Sequence, residues 1–119
     1  RTYVSVDGGM GDNIRPALYE SEYAVVPVDR PLAERNHTVT VAGKFCESGD
    51  VLARDVDLPE PETGELLALP ASGAYCLMMA SNYNMQTRPA VVLVNQGTSR
   101  LIRRRETYKD LLASSIDFD

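Results

Sequence analysis

The sequence predicts a mainly β domain, a barrel or sandwich of about seven short strands with little helix. Three observations carry that expectation. Short runs rich in β-branched and apolar residues recur along the whole chain. Turn-forming clusters of Gly, Pro, Asn and Asp separate those runs. Helical spacing is confined to one turn near Pro16 and to the tail.

Taken in order, Thr2–Asp7 alternates as a strand does and runs into the loop Gly8-Gly-Met-Gly-Asp-Asn13. Ile14–Tyr19 makes a single helical turn with Pro16 near its start. Tyr23–Val28 and His37–Ala42 read as strands, and Pro27 puts the first of them at an edge or a strand end. Asp29–Asn36 is the polar connection between them. A loop at Cys46-Glu-Ser-Gly-Asp50 precedes Val51–Leu58 and the turn Pro59–Gly64, and Leu66–Leu69 reads as a short buried strand. Pro70–Tyr75 interrupts regularity before an apolar segment that ends at Ala80. Ala90–Val94, the turn Asn95-Gln-Gly-Thr98 and Arg100–Arg104 form a hairpin. Glu106–Ala113 has helical spacing, with capping signals at Thr107 and Asp110.

The whole chain, 1–119, reads as one domain without internal repeats. At 44% hydrophobic and 24% charged residues it is ordinary globular material, long enough to bury roughly two-thirds of its unfolded surface. Two cysteines, Cys46 and Cys76, cannot build a disulfide scaffold. The apolar run Cys76–Ala80 is far shorter than the ~20 residues a membrane helix requires. A formal net charge of −5 argues against nucleic acid as a partner, because phosphate affinity needs clustered cations. Ten arginines stand against Lys44 and Lys109, and the planar arginine fork suits fixed carboxylate contacts. Few cysteines and no signal-like start favour a reducing, cytoplasmic setting, and Arg1 at the start suggests an excised or processed piece.

Three loops concentrate reactive side chains: Gly8–Tyr19, Cys46–Asp50 and Gly73–Asn84. The glycines of Asp7-Gly-Gly-Met-Gly-Asp12 lack phosphate-loop spacing, and two distant cysteines with a single histidine, His37, make no zinc site. Taken alone, Cys46 reads as a small core residue, Glu47 as a surface carboxylate, and Tyr19 and Tyr75 as core rings. Arg15 reads as a helix-surface arginine or a partner of Asp12, Asp50 and Ser48 as loop-shaping residues, and Cys76 as packing. Arg103–Arg105, followed by Glu106 and Asp110, reads as a solvated edge with salt bridges.

Together and in order, those loops resemble one family. Asp7-Gly-Gly-Met-Gly-Asp-Asn-Ile-Arg-Pro-Ala-Leu-Tyr19, Cys46-Glu-Ser-Gly-Asp50, Gly73-Ala-Tyr75, Met79-Ala-Ser-Asn-Tyr-Asn84 and Arg88-Pro89 are similar to the C-terminal β-domain of diaminopimelate decarboxylases. Leu58-Pro-Glu-Pro61 and Arg103-Arg-Arg-Glu-Thr-Tyr-Lys-Asp-Leu-Leu112 agree with it. The resemblance implies a Greek-key β-barrel or sandwich with one or two short helices, completed by strands from outside this segment. It also implies an N-terminal (β/α)8 barrel, absent here, that carries the cofactor lysine. Neither Lys44 nor Lys109 matches that lysine, so the resemblance makes this segment inert alone.

The activity so implied is conversion of meso-2,6-diaminopimelate to L-lysine and carbon dioxide with pyridoxal 5′-phosphate, a step of lysine biosynthesis. The resemblance assigns proton donation to Cys46 and substrate binding to Arg15, Tyr19, Glu47 and Tyr75, with Tyr75 also touching the cofactor. The chemistry is consistent. Arg15 can grip a distal carboxylate, Glu47 can pair with an ammonium, and an ordinary thiol with a pKa near ~8.5 holds a proton at neutral pH. The resemblance further implies a homodimer in which the Cys46-Glu47 loop enters the partner's site. A related ornithine or arginine decarboxylase and a non-catalytic dimerisation module are the alternatives. The first needs no counterpart of Arg15, because its substrates lack a distal carboxylate.

Overall fold

The computed structural model describes residues 1–116. By contacts the chain falls into two compact units, Arg1–Ala80 and Ser81–Asp119.

The first unit runs β1 (Tyr3–Ser5), α1 (Arg15–Tyr19), β2 (Val26–Pro27), β3 (His37–Ala42), β4 (Val51–Leu58), β5 (Leu67–Ala68) and α2 (Gly73–Met79). β3 is the centre of a three-stranded sheet in the order β1-β3-β4. It pairs in parallel with β1, Tyr3 opposite Thr40, and antiparallel with β4, His37 opposite Leu58. A central strand covered on both faces has no need of alternation, and its β-branched run Val39-Thr40-Val41 is buried throughout. Thr40 meets the burial requirement by donating its hydroxyl to Asp55 Oδ1 at 3.5 Å. Val25, Val39, Val41, Leu52, Ala53 and Leu58 form the core, with Val4, Val6, Val56, Leu67 and Leu69 packed against it.

β4 contains two extra residues relative to β3: Val39 faces Val56, but Val41 faces Ala53 and Ala42 faces Val51. Asp55 absorbs the first bulge at φ 49°, a conformation that the short side chains of Asp and Asn tolerate best.

The predicted strands are longer than the paired ones. Thr2–Asp7 contracts to Tyr3–Ser5, although Thr40 N–H still donates to Thr2 and Val6 N–H to Ala42 at its ends. Of Tyr23–Val28 only Val26–Pro27 pairs as a strand, with Leu67–Ala68, and one further bond runs from the Val28 N–H to the Leu66 carbonyl at 2.8 Å. Leu66–Leu69 is not the buried strand expected. Leu66 is 63% exposed and only Leu67 and Leu69 turn to the core. The apolar segment after Pro70 is a helix, α2, whose one buried residue is Cys76.

The second unit holds a single 3-10 turn at Tyr83–Met85, β6 (Val91–Asn95), β7 (Thr98–Arg103) and α3 (Tyr108–Leu111). β6 and β7 form the expected hairpin, Asn95 opposite Thr98. Its two-residue turn needs positive φ twice, met by Gln96 at 48° and Gly97 at 76°. The expected capping signal is present in α3, where the Asp110 carboxylate accepts from the Thr107 N–H at 2.7 Å and from its hydroxyl at 2.8 Å.

The described residues thus contain three short α-helices, where one or two were expected. Their strands make three small sheets, of three, two and two strands, and no closed barrel among them.

Candidate functional site

Arg15 and Tyr19 sit four residues apart and so share one face of α1. Two devices start this helix: Asn13 Oδ1 accepts from the Arg15 N–H at 3.2 Å, and Pro16 fixes the backbone of the first turn. It stops after one turn at Glu20, whose left-handed backbone (φ 54°) caps the carbonyls of Arg15 and Pro16. The Arg15 guanidinium then lies 5.6 Å from the centre of the Tyr19 ring and 4.8 Å from that of Tyr75 on α2. Both distances are within cation–π range, so the two aromatic faces hold the cation in place. Arg15 is half-buried, while Tyr19 and Tyr75 are 60% and 61% exposed. A partly desolvated guanidinium beside two solvent-facing phenols can receive a carboxylate.

Cys46 and Glu47 stand on the loop between β3 and β4, and both are exposed. The loop is built from its own backbone: Glu47 N–H donates to Phe45 at 2.8 Å, Asp50 N–H to Glu47 at 3.0 Å and Gly43 N–H to Asp50 at 2.9 Å. Glu47 Oε1 accepts from Ser48 Oγ and from Gly49 N–H, both at 3.4 Å. The loop lies beside α1, for a Cβ placed at Gly49 would meet the Ala17 methyl at 3.8 Å. The exposure of Cys46 excludes the core reading within this chain. Cys76 is buried, its sulfur 4.0 Å from the Tyr23 hydroxyl.

The structure therefore brings Arg15, Tyr19 and Tyr75 into contact and presents Cys46 and Glu47 on a neighbouring loop. A groove of about 740 Å³ runs between β4 and the segment after α1, lined by Pro16, Glu20, Tyr23, Gly49 and Leu52 among others. None of the five candidate residues lines it. Tyr19, Cys46, Glu47 and Tyr75 lie on open surface instead.

Two arrangements escape a reading of the sequence. The buried Asp50 carboxylate bonds to the backbone of two loops, one of them forty positions away in the chain. In the second unit, Glu106 accepts from Asn82 Nδ2 at 2.7 Å, Arg88 N–H at 2.9 Å, Arg88 Nε at 2.6 Å and Arg103 Nη2 at 3.1 Å. Those bonds, led by the Arg88 side chain, lower its pKa to about 2. Asn82 also donates to the Gln86 carbonyl at 2.9 Å, closing a turn in which Asn84 and Met85 both have positive φ. The single acid after three arginines is the only sequence signal for this network.

A small-sheet fold with these three loops in this order defines a class of protein. The family model for the pyridoxal-dependent decarboxylase C-terminal sheet domain matches residues 1–73, and the chain belongs to that family. Within it, the chain is similar to diaminopimelate decarboxylases. It is 59% identical to the one from Synechocystis over 94% of this chain and 24% of that protein, and 51% identical to the one from Bacillus subtilis over 99% and 27%. The crystal structure of diaminopimelate decarboxylase from M. jannaschii in complex with L-lysine matches with a TM-score of 0.88 at 42% identity, covering 97% of this chain and 26% of that one. The chain spans about a quarter of the length of the curated relatives it matches.

The residue expected to touch pyridoxal phosphate is Tyr75. Its ring lies against the Arg15 guanidinium and the residue is 61% exposed, so a ligand can reach it. Lys44 stands 6.0 Å from the Phe45 ring on the Cys46 loop, and Lys109 lies in α3.

Proposed function

We propose that this chain is the substrate-recognition and proton-delivery part of a diaminopimelate decarboxylase, acting within a longer polypeptide that carries the pyridoxal phosphate lysine on a (β/α)8 barrel. The observation that carries the reading is the Arg15 guanidinium held against Tyr19 and Tyr75. Similarity to diaminopimelate decarboxylases across nearly the whole chain supports it.

meso-2,6-Diaminopimelate has two amino-acid ends, one of which reacts. The other offers a carboxylate and an ammonium, so its recognition requires a fixed cation and a fixed anion. Arg15 binds the distal carboxylate through its N–H edge, and Tyr19 adds a phenolic hydrogen bond. Glu47 pairs with the distal ammonium. Tyr75 contacts both substrate and cofactor. Pyridoxal phosphate, when bound, accepts the electron pair left at the α-carbon as carbon dioxide departs. Cys46 Sγ–H then delivers a proton to that carbon, and L-lysine leaves.

The exposure of Tyr19, Cys46, Glu47 and Tyr75 fits a site completed by other surfaces. We take those surfaces to be the barrel and, for the Cys46-Glu47 loop, the active site of the partner in a homodimer. The sheets described here would then be part of a larger Greek-key barrel, closed by strands outside this segment. A cytoplasmic setting accords with the free, exposed Cys46. No helix among the described residues is long and apolar enough to cross a membrane.

The deciding experiment follows carbon dioxide release from meso-diaminopimelate by the full-length enzyme with pyridoxal phosphate, wild type beside Glu47→Ala. Release that collapses in the variant supports both substrate and role. Equal turnover of ornithine, which lacks the distal carboxylate, refutes the substrate assignment. Specific activity that stays constant on dilution through dimer dissociation refutes the shared site.

A further inference from the structure

We infer that Asp50 is a positioning residue that holds the Arg15 loop and the Cys46-Glu47 loop in register. The inference rests on the decarboxylase reading above and adds a residue to it. Asp50 is 3% exposed, and its two carboxylate oxygens are divided between the loops. Oδ1 accepts from the Met10 N–H at 2.6 Å, and Oδ2 accepts from the Phe45 N–H at 2.7 Å. A buried carboxylate is stable only when backbone or charged donors replace its lost water, and both oxygens here have one.

From each oxygen a short path leads to a functional residue. On one side, Met10 follows Gly9, whose carbonyl accepts from Asn13 N–H at 3.0 Å, and Asn13 Oδ1 accepts from Arg15 N–H at 3.2 Å. On the other side, Phe45 precedes Cys46, and its carbonyl accepts from Glu47 N–H at 2.8 Å. The Asp50 main chain closes the same loop through Gly43 N–H and the Glu47 carbonyl.

Two glycines leave room for this clamp. A Cβ at Gly9 would lie 2.7 Å from Asp50 Oδ1 and 2.8 Å from the Phe45 ring, and one at Gly43 would approach the carboxylate closer still. Neither glycine has a left-handed φ, so the requirement at these positions is clearance and not backbone freedom. Gly8 is the natural control. A Cβ there meets only Asp12 Oδ2, at an ordinary 3.5 Å.

In the homodimer read above, Arg15 serves this chain's own site and the Cys46-Glu47 loop serves the partner's, so the clamp fixes how far each loop reaches into its site. Errors near 1 Å in such a constellation cost on the order of a hundredfold in rate or affinity. Loosening the clamp should therefore raise KM for the two-ended substrate before it affects cofactor binding, which the other domain provides.

The test compares Gly9→Ala, Gly8→Ala and Asp50→Asn in the full-length enzyme with pyridoxal phosphate. Asn at 50 keeps the shape but sets an NH2 against one of the two backbone donors. Gly9→Ala keeps the charge and displaces the carboxylate. We expect both to raise KM for meso-diaminopimelate by on the order of tenfold or more and to slow proton delivery from Cys46, with the pyridoxal absorbance and dimer mass of the wild type. Gly8→Ala should stay near wild type. The alkylation rate of Cys46 by iodoacetamide, which requires no substrate, should change in Gly9→Ala and not in Gly8→Ala.

Matching kinetics and matching alkylation in the two alanine variants would overturn the inference. So would activity in Gly9→Ala that falls only in proportion to lost cofactor or soluble protein, since Asp50 would then be a folding residue. If Asp50→Asn does not fold, the glycine pair decides. A wild type that binds cofactor but releases no carbon dioxide from diaminopimelate removes the decarboxylase reading, and the alkylation comparison still decides the clamp.

Discussion

The Arg15 guanidinium on α1 rests 4.8 Å from the centre of the Tyr75 ring on α2, so the two residues orient each other. The tyrosine ring lies within cation–π range of the guanidinium, whose N–H groups can still donate to a ligand. The contact also fixes the phenol against rotation, which matters if its hydroxyl serves cofactor and substrate together.

From this pair we predict that Arg15→Lys behaves almost as poorly as Arg15→Ala. Lysine keeps the charge but loses both the stacking plane and the paired donors. KM for meso-diaminopimelate should rise by on the order of 10- to 100-fold in either variant, from a lost charge-assisted contact. Tyr75→Phe should keep Arg15 in place and lose only the hydroxyl contacts, giving a milder KM effect and weaker cofactor retention. Steady-state kinetics and pyridoxal absorbance on the three variants check this. A lysine variant with wild-type KM would remove Arg15 from the carboxylate site.

The two cysteines are predicted to separate cleanly by reactivity. Cys46 is exposed, and Cys76 is buried beside the Tyr23 hydroxyl. In the folded enzyme iodoacetamide should label Cys46 and leave Cys76 untouched until denaturant is added. Bound L-lysine should slow the Cys46 reaction if that thiol faces the substrate. Peptide mass mapping at intervals gives both rates. Protection of Cys76 lost at the same rate as that of Cys46 would mean that the α2 packing opens readily.

Much of the architecture is legible in the sequence where local chemistry dictates it. Asn95-Gln-Gly-Thr98 can hardly be anything but a tight hairpin turn, and Pro16 and Thr107 announce their helix starts. What is not legible depends on distant partners. Val51–Leu58 gives no hint of its bulges, which exist because β3 sets the register against it. α2 is seven residues long, too short for a helical period to show, and Pro70 and Gly73 just before it read as a break. Leu66 looks like a core residue but lies outside the short β2–β5 pairing. At the site, the residue types and their loops are visible in the sequence, yet their mutual arrangement is not. Arg15 meets Tyr75, and Asp50 meets Met10, through contacts that no periodicity encodes.

The core predicts its own weak point. Leu58 is 1% exposed at the end of β4, opposite His37, and is among the largest fully buried side chains. Leu58→Ala should cost about 2–5 kcal/mol through lost transfer energy and the cavity left behind. Thermal or urea unfolding of the purified enzyme measures it. Leu32→Ala, at a position 97% exposed, is the matched control and should lie within about 0.5 kcal/mol of wild type. Equal losses at both positions would mean that the cluster around Val39 and Val41 is not what holds this unit together.

Glu106 gives the second unit a pH dependence whose sign is fixed. Its carboxyl is held at about 2, against an ordinary 4.5, by the Arg88 side chain first and then by the Arg88 N–H and Asn82. A depressed carboxyl pKa means that the charged form is favoured by folding. Its contribution is therefore complete above pH ~4.5 and is lost as the pH falls toward ~2, where folded and unfolded chains bind the proton alike. Asp110, lowered by Arg104 and Thr107, acts in the same direction on α3. Glu106→Gln cannot titrate, so wild type should exceed it in stability at neutral pH and converge on it below pH 4.5. Thermal midpoints of both proteins at pH 7, 5, 4 and 3 test this. A gap that stays constant down to pH 3 would show that the arginines act on Glu106 through shape alone and that its charge contributes nothing to the turn at Asn82–Gln86.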